Sequence, residues 1–184
     1  MRETTTSSKR LYEGRVLGLE VRQVRLDDGR VSEREIVLHR GAVGVLARDP
    51  DGAYLLVRQF RSAVEAEALE ICAGLHEPGE ASEAAARREL REETGRTAAT
   101  LTPLARVWAS PGYTTEWVDL FFADCAPGVD APAFDHDEHV EVVRYTAAEL
   151  DRAIRAGVVR DAKTIAAYGL HRLALGAGGA EPCA

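Results

Sequence analysis

Runs of apolar residues divide the first third of the chain into predicted strands. From Arg15 to Leu38, apolar residues alternate roughly every second position, and Asp28-Gly29 interrupts them with a pair typical of hairpin turns. We therefore expect two or three short strands of a small antiparallel sheet. Continuous apolar runs at 41–47 and 53–60, separated by the turn RDPDG, predict a second hairpin with buried strands.

The pattern changes to helical further along the chain. The segment EAAARRELREET contains strong helix formers throughout, and we expect Ser82 to be its N-cap and Gly95 to end it. A final helical pair is predicted for TAAELDRAIRAG and DAKTIAAYGLHRLAL. Further strands are expected at ALEICAG, TLTPLARVWA, WVDLFFADC and HVEVVRYT.

This order of elements predicts an α/β sandwich with a mixed β-sheet, preceded by the small antiparallel β-subdomain. We expect that subdomain at residues 1–40, the main domain at 41–175 and a flexible tail at 176–184. The first ten residues are polar and are expected to be frayed, and the last nine, GAGGAEPCA, are small and Gly-rich.

Composition limits the class of protein. The chain has 184 residues, of which 46% are hydrophobic, so one substantial core is expected. A net charge of −7 argues against nucleic-acid or membrane-surface partners. Cys72, Cys125 and Cys183 are widely spaced, which favours neither a disulfide framework nor a zinc site. Without an apolar signal segment or membrane span, a cytoplasmic protein is the simplest expectation.

Three carboxylates are concentrated on the helix predicted after residue 81. Residues three and four positions apart share a helical face, so Glu89 lies beside Glu92 and Glu93. Repulsion between them would become favourable around a hard divalent cation, and Mg²⁺ suits such a site because it keeps several waters and borrows phosphate oxygens. The plainer alternative is a charged helix face in water.

The spacing around these glutamates resembles the Nudix box. Gly74 is followed after five residues by Glu80, and after seven more by RELREETG, residues 88–95. The one departure is Arg96, where the family usually has an aliphatic residue, and we interpret it as a packing variation. The resemblance implies a Nudix α/β/α sandwich and a hydrolase that uses Mg²⁺, with Mn²⁺ as a possible substitute.

The resemblance also assigns roles within the box. Glu89, Glu93 and the backbone carbonyl of Ala73 would bind the metal. Glu92 would assist, and Arg88 would orient the glutamates through salt bridges. Cys72 stands where many relatives have proline and is expected to be a small buried residue.

Segments outside the box resemble the ADP-ribose pyrophosphatase subfamily. Pro111, in the segment SPGYTTE, lies sixteen residues beyond Gly95, although an ordinary turn would also contain it. By this resemblance Arg61 would hold the diphosphate or the terminal ribose, and an ordinary surface ion pair is the alternative. Leu75, Ser110 and Gly112 would also contact substrate. Three further segments agree with the subfamily: VRQFR (57–61), HDEHVEV (136–142) and DAKTIAA (161–167).

Hydrolysis needs a group that accepts a proton from the attacking water. By the resemblance, Glu138 occupies that position in a mobile acidic loop. Asp137 and Glu141 are alternatives, Glu116 is a weaker one, and the whole loop could be merely solvated. We expect His136 and His139 to be bystanders.

The predicted N-terminal strands resemble the subdomain with which such enzymes form an intertwined homodimer. Arg34 and Glu35 fall where contacts to the adenine would be expected, although alternating charges on an edge strand usually face water. Trp108 and Trp117 are expected in the core or at the rim. The predicted partner is a small nucleoside diphosphate, with neither nucleic acid nor membrane involved.

The sequence therefore predicts hydrolysis of ADP-ribose to AMP and ribose 5-phosphate. One alternative is a Nudix hydrolase of another nucleotide sugar, NADH or a dinucleotide. The other is a Nudix fold that binds ADP-ribose without catalysis, which the complete set of box glutamates argues against.

Overall fold

A computed structural model describes residues 2–131 and 140–177. The described residues form two compact units. The first comprises Met1–Gly41 and Trp108–Val118, and the second comprises Ala42–Val107 and Asp119–Ala184. Among the described residues, no helix is long and apolar enough to cross a membrane.

The first unit contains a three-stranded antiparallel sheet, ordered β1-β2-β3. Its strands are β1 (Glu3–Glu13), β2 (Leu17–Leu26) and β3 (Val31–His39). The predicted hairpin between β2 and β3 is confirmed, because Gly29 adopts a φ of 85° and its amide donates to the carbonyl of Leu26 at 2.9 Å.

The prediction of a frayed N-terminus is wrong. Strand β1 pairs with β2 from Glu3 opposite Leu26 to Glu13 opposite Gly18. Every side chain of β1 is exposed, so hydropathy carried no signal of a strand. The strand is held by main-chain pairing, and its Thr residues suit extended backbone.

The predicted turn at residues 110–116 is confirmed and belongs to the first unit. The amides of Tyr113 and Thr114 both donate to the carbonyl of Ser110 at 3.1 Å. The turn also bonds to β3, since the amide of Val37 donates to the carbonyl of Tyr113 at 2.8 Å. Its contact with β3 joins residues that are far apart along the chain, so no local pattern indicated it.

The second unit is built on a mixed sheet of seven described strands. The strands are β4 (Ala42–Arg48), β5 (Tyr54–Arg61), β6 (Ala66–Glu70), β7 (Cys72–Leu75), β8 (Ala98–Trp108), β9 (Trp117–Cys125) and β10 (Val140–Tyr145). Their main order is β10-β5-β4-β9-β8, and in addition β6 pairs with β5 and β7 pairs with β4. The predicted strand ALEICAG is therefore divided at Ile71 into two strands that pair with different neighbours.

Helices cover both faces of this sheet, as the sandwich prediction requires. The helices are α1 (Ser82–Thr94), α2 (Ala147–Arg155) and α3 (Ala162–Ala177). Helix α1 packs its buried Ala85, Ala86 and Leu90 on one face, against a core drawn from alternate residues of the central strands. That core includes Val43, Val45, Ala47, Leu55, Val57, Phe121 and Ala123.

The opposite face of the sheet is covered by α3, which contacts β4. The fully buried Leu46, Ile71 and Leu120 lie on this side, and a Cβ at Gly44 would meet the last two. Helix α3 continues to Ala177, so the first two residues of the predicted tail are helical. Residues 178–184 lie outside the described part of the chain.

One predicted helix cap is wrong and the other is confirmed. Helix α1 has Ala81 at its N-cap position, and no side chain caps it. The Ser82 hydroxyl is instead directed to the buried carboxylate of Asp119. Gly95 ends the helix with a left-handed φ of 66°, as expected for a C-terminal glycine.

Candidate active site

Arg88 organises the carboxylates of helix α1. Its Nη1 donates to Glu89 at 2.7 Å and to Glu92 at 3.0 Å. Its Nε and Nη2 form a two-bond pair with Glu80, at 3.0 and 2.9 Å. Nη2 also donates to the carbonyl of Leu75 at 3.1 Å. One guanidinium therefore ties the helix to the loop before it and to the end of β7.

The ion pair between Arg88 and Glu80 favours the charged form of both groups. The hydrogen bond from Arg88 lowers the pKa of Glu80 to about 2. The same pairing, with further contributions from Glu89 and Glu92, raises the pKa of Arg88. A guanidinium suits this place because its planar fork contacts several carboxylate oxygens at once.

Glu89 and Glu93 point from α1 toward strand β7. The Glu89 carboxylate lies against the backbone of Gly74, where a Cβ would stand only 1.9 Å from Oε1. Glu93 accepts a hydrogen bond from the amide of Ala73 at 3.1 Å through Oε2. Both glutamates are more than nine-tenths buried. A glycine is thus required at position 74, because a side chain there would occupy the place of the Glu89 carboxylate.

The donor chemistry here fits a hard divalent cation. Two buried carboxylates lie beside the backbone of residues 73 and 74, and all of these donors are oxygens. Within residues 2–131 and 140–177, no group of three or more His, Cys, Asp or Glu side chains is placed to hold a metal ion by itself.

Arg61 ends strand β5 and is engaged by a buried acid. Its Nε and Nη2 donate to the two carboxylate oxygens of Glu70 at 2.6 and 2.9 Å. The Arg61 side chain remains 42% exposed, whereas that of Glu70 is 5% exposed. The pair with Glu70 raises the pKa of Arg61, and the charge of Glu93 acts in the same direction.

Four of the other predicted substrate residues belong to the first unit. Arg34 on β3 pairs with Glu3 of β1, with Nε donating at 3.1 Å. Glu35 is the next residue along the same strand. Ser110 and Gly112 lie in the turn that bonds to β3 at Val37. Two motifs that are far apart in sequence are therefore brought into one unit.

The predicted base, Glu138, lies outside the described residues, as do Asp137, His136 and His139. Among the alternatives, Glu141 pairs with Arg58 of β5 at 2.8 Å and its side chain is 62% exposed. The amide of Glu116 bonds to the Thr114 hydroxyl within the turn. The assignment of the base stays a prediction.

Comparison with known proteins decides the family. The NUDIX domain model matches residues 38–168, which is more than half of the chain. The chain belongs to the Nudix family. It is 40% identical over 176 residues to an ADP-ribose pyrophosphatase of Bacillus subtilis (strain 168), with 95% of this chain and 94% of that protein covered.

This Nudix chain is also similar to a second curated protein and to a solved structure. It is 36% identical over 166 residues to a methanol dehydrogenase activator of Bacillus methanolicus, with 90% of each protein covered. The crystal structure of an ADP compounds hydrolase superposes with a TM-score of 0.85 and covers 97% of both chains at 24% identity. The predicted Nudix fold, with its mixed sheet and N-terminal antiparallel sheet, is confirmed.

Arg96, the departure from the Nudix box, forms polar contacts in addition to packing. Its side chain is 15% exposed and donates to Asp49 at 2.7 Å and to the carbonyl of Gly128 at 2.8 Å. This Nudix chain thus uses an ionic link where an aliphatic residue would pack. Cys72 is buried as predicted, and burial raises the pKa of its thiol.

Two buried acids were not predicted as site residues. Glu70 lies in an otherwise apolar strand and pairs with Arg61. Asp119 lies in another apolar strand and pairs with Arg106 at 2.7 and 2.8 Å. Each was visible as a charged residue in an otherwise apolar run. Such a residue must be paired when the strand is buried.

Proposed function

We propose that this Nudix enzyme hydrolyses the diphosphate bridge of ADP-ribose with Mg²⁺, releasing AMP and ribose 5-phosphate. The observation that carries the proposal is the arrangement of Glu89 and Glu93 against residues 73 and 74, with Glu89 also hydrogen-bonded to Arg88. The likeness to an ADP-ribose pyrophosphatase over nearly the whole chain supports the substrate.

Glu89, Glu93 and the Ala73 carbonyl would hold the cation. When bound, the metal neutralises charge that develops on the diphosphate oxygens. Arg88 donates to the carboxylates of Glu89 and Glu92 and fixes their direction, so little reorganisation is needed before reaction.

The remaining steps belong to other side chains. Arg61 binds the diphosphate through charge-assisted hydrogen bonds. Water attacks one phosphorus, its proton passes to Glu138, and the bond between that phosphorus and the bridging oxygen breaks. Glu92 assists by stabilising the organised cluster, and Leu75 borders the substrate.

We further propose that the enzyme is a cytoplasmic homodimer in which Arg34, Glu35, Ser110 and Gly112 contact the substrate. Strand β1 supports the homodimer, because an edge strand with every side chain exposed offers unpaired main-chain groups to a second copy. Sedimentation equilibrium on the full chain and on a chain lacking residues 1–14 tests the assembly. A full chain that sediments as a monomer at assay concentration would refute the dimer.

The substrate proposal is tested with a panel of nucleoside diphosphate derivatives: ADP-ribose, ADP-glucose, NADH and diadenosine diphosphate. Each is incubated with Mg²⁺, and products are identified by chromatography. We expect the highest kcat/KM for ADP-ribose. Equal or higher kcat/KM for another compound would replace the substrate while leaving the Nudix chemistry in place.

The alternative of a binding module without catalysis predicts a different result. Such a protein would bind ADP-ribose tightly and release no AMP with Mg²⁺ or Mn²⁺. Calorimetry and the product assay on the same sample distinguish the two functions.

A further inference from the structure

Glu70 holds two cations from separate parts of the second unit. The carboxylate lies at the end of β6 and is almost fully buried, with a side-chain exposure of 5%. One partner is Arg61 at the end of β5, and the other is Lys163 in the first turn of α3. A buried carboxylate would be costly alone, but here both oxygens are paired.

The pair between Glu70 and Arg61 fixes the direction of the guanidinium. Two parallel hydrogen bonds, at 2.6 and 2.9 Å, define both its position and its plane. The pair occupies only two of the five N–H donors that a guanidinium carries. The rest of this partly exposed group is therefore presented in a fixed orientation.

The start of α3 braces the junction between β6 and β7. Lys163 pairs with Glu70 and also donates to Asp161 at 2.9 Å. Its neighbour Thr164 is fully buried and accepts a hydrogen bond from the amide of Ile71 at 2.8 Å. Consecutive residues of α3 therefore hold consecutive residues of the junction.

This junction lies between the proposed metal ligands and the proposed diphosphate-binding arginine. Ile71 is followed by Cys72 and then by Ala73, whose amide bonds to Glu93. On the other side, Glu70 is bonded to Arg61. The same short segment thus connects the acidic side chains of α1 with the arginine proposed to bind the diphosphate.

We propose that Glu70 is a positioning residue: its carboxylate orients Arg61 toward the substrate diphosphate, and Lys163 holds that carboxylate in place from α3. The inference rests on the proposed function, because it takes Arg61 to bind the diphosphate. It assigns a role to the segment DAKTIAA that the box chemistry does not use.

A double-mutant cycle tests this role. Glu70→Gln keeps the size of the side chain and removes its charge, and it is compared with Arg61→Met and with the double variant. The matched control is Glu67→Gln, which removes the same charge from an exposed position on the same strand. The assay uses the compound with the highest kcat/KM in the substrate panel, and the melting temperature of each variant is recorded.

We expect Glu70→Gln to raise KM by about tenfold, the effect of one charge-assisted hydrogen bond, with kcat within about threefold. In the Arg61→Met background the same change should raise KM less than about twofold, because the group it orients is absent. Glu67→Gln should leave both constants unchanged. Additive effects of Glu70→Gln and Arg61→Met would overturn the inference.

Lys163 provides a second route if Glu70→Gln folds poorly. Lys163→Met should raise KM by about threefold, and Lys163→Arg, which retains the cation, should restore it. If both Lys163 variants have the wild-type KM, Lys163 does not hold the carboxylate and the inference fails. Failure of the wild-type enzyme to cleave ADP-ribose would instead refute the substrate, since the cycle runs on whichever panel compound is cleaved.

Discussion

Two ionic clusters in the second unit are built in opposite ways. Around Arg88, one cation gathers the carboxylates of Glu80, Glu89 and Glu92. Around Glu70, one carboxylate gathers the cations of Arg61 and Lys163. The first cluster leaves an excess of negative charge. In the second, Asp161 also pairs with Lys163, which balances the charges, and the guanidinium of Arg61 is its most exposed part.

This difference matches the two charges that a diphosphate hydrolase must handle. An excess of carboxylate attracts a divalent cation, whereas the partly exposed guanidinium of Arg61 offers N–H donors to phosphate oxygens. In each cluster the central residue holds its neighbours in place through hydrogen bonds. Removing a central residue and removing a member of its cluster should therefore have different kinetic signatures.

The largest effect is expected from the acidic cluster. Glu93→Gln removes a proposed metal ligand and should lower kcat by about a hundredfold or more. Glu83→Gln is the control, because Glu83 lies on the same helix with 63% of its side chain exposed. Steady-state kinetics at saturating Mg²⁺ measures both. Equal kcat for the two variants would remove Glu93 from the metal site.

Replacing Arg88, the centre of that cluster, should lower kcat somewhat less. Arg88→Lys keeps the charge but cannot reach Glu80, Glu89 and Glu92 together, so we expect kcat to fall by about tenfold to a hundredfold. The Mg²⁺ concentration for half-maximal rate should rise as well. A variant with wild-type dependence on Mg²⁺ would show that Arg88 does not organise the glutamates for the metal.

Gly74→Ala separates the position of Glu89 from its presence. The added methyl group would occupy the place of the Glu89 carboxylate, so we expect about a tenfold loss of kcat with little change in melting temperature. Gly169→Ala, on α3 with open space around it, is the control. Unchanged kinetics in Gly74→Ala would mean that the carboxylate functions equally well elsewhere.

The two clusters should behave alike in acid. Burial opposes ionisation of Glu70, but its ion pairs with Arg61 and Lys163 prevail and lower its pKa from 4.5 to about 2. Hydrogen bonding from Arg88 lowers the pKa of Glu80 from 4.5 to about 2 as well. A lowered carboxylate pKa stabilises the fold above the unfolded pKa, and that contribution is lost as pH falls through the folded pKa.

The free energy of unfolding should therefore fall between about pH 4.5 and pH 2. Urea unfolding in EDTA across this range measures it. Glu70→Gln and Glu80→Gln should each flatten the slope. A slope that neither substitution changes would show that these two carboxylates are not the groups being protonated.

Much of the fold was predictable from the sequence because hydropathy and turn residues act locally. Helix α1, its end at Gly95 and strands β4, β5 and β9 follow from apolar patterning and glycine chemistry. Strand β1 was not predictable, because no side chain of it is buried. Its order comes from main-chain pairing with β2, which leaves no mark on the hydropathy of β1.

Part of the acidic cluster could be predicted, because it lies on one helix and its loop. Helical spacing places Glu89 beside Glu92, and the resemblance implies that Arg88 pairs with them. The Glu70 cluster joins residues that are nine and ninety-three positions apart along the chain, and only the folded structure brings them into contact. Ser82 shows the same limit, since its bond to Asp119 replaced the cap that local sequence favoured.

Product analysis with ADP-ribose tests the central claim most directly. The purified enzyme is incubated with ADP-ribose and either Mg²⁺ or excess EDTA, and AMP and ribose 5-phosphate are quantified over time. We predict that both products appear in equal amounts with Mg²⁺ and that neither appears with EDTA. Cleavage at the same rate in EDTA, or intact ADP-ribose with Mg²⁺, would contradict the account.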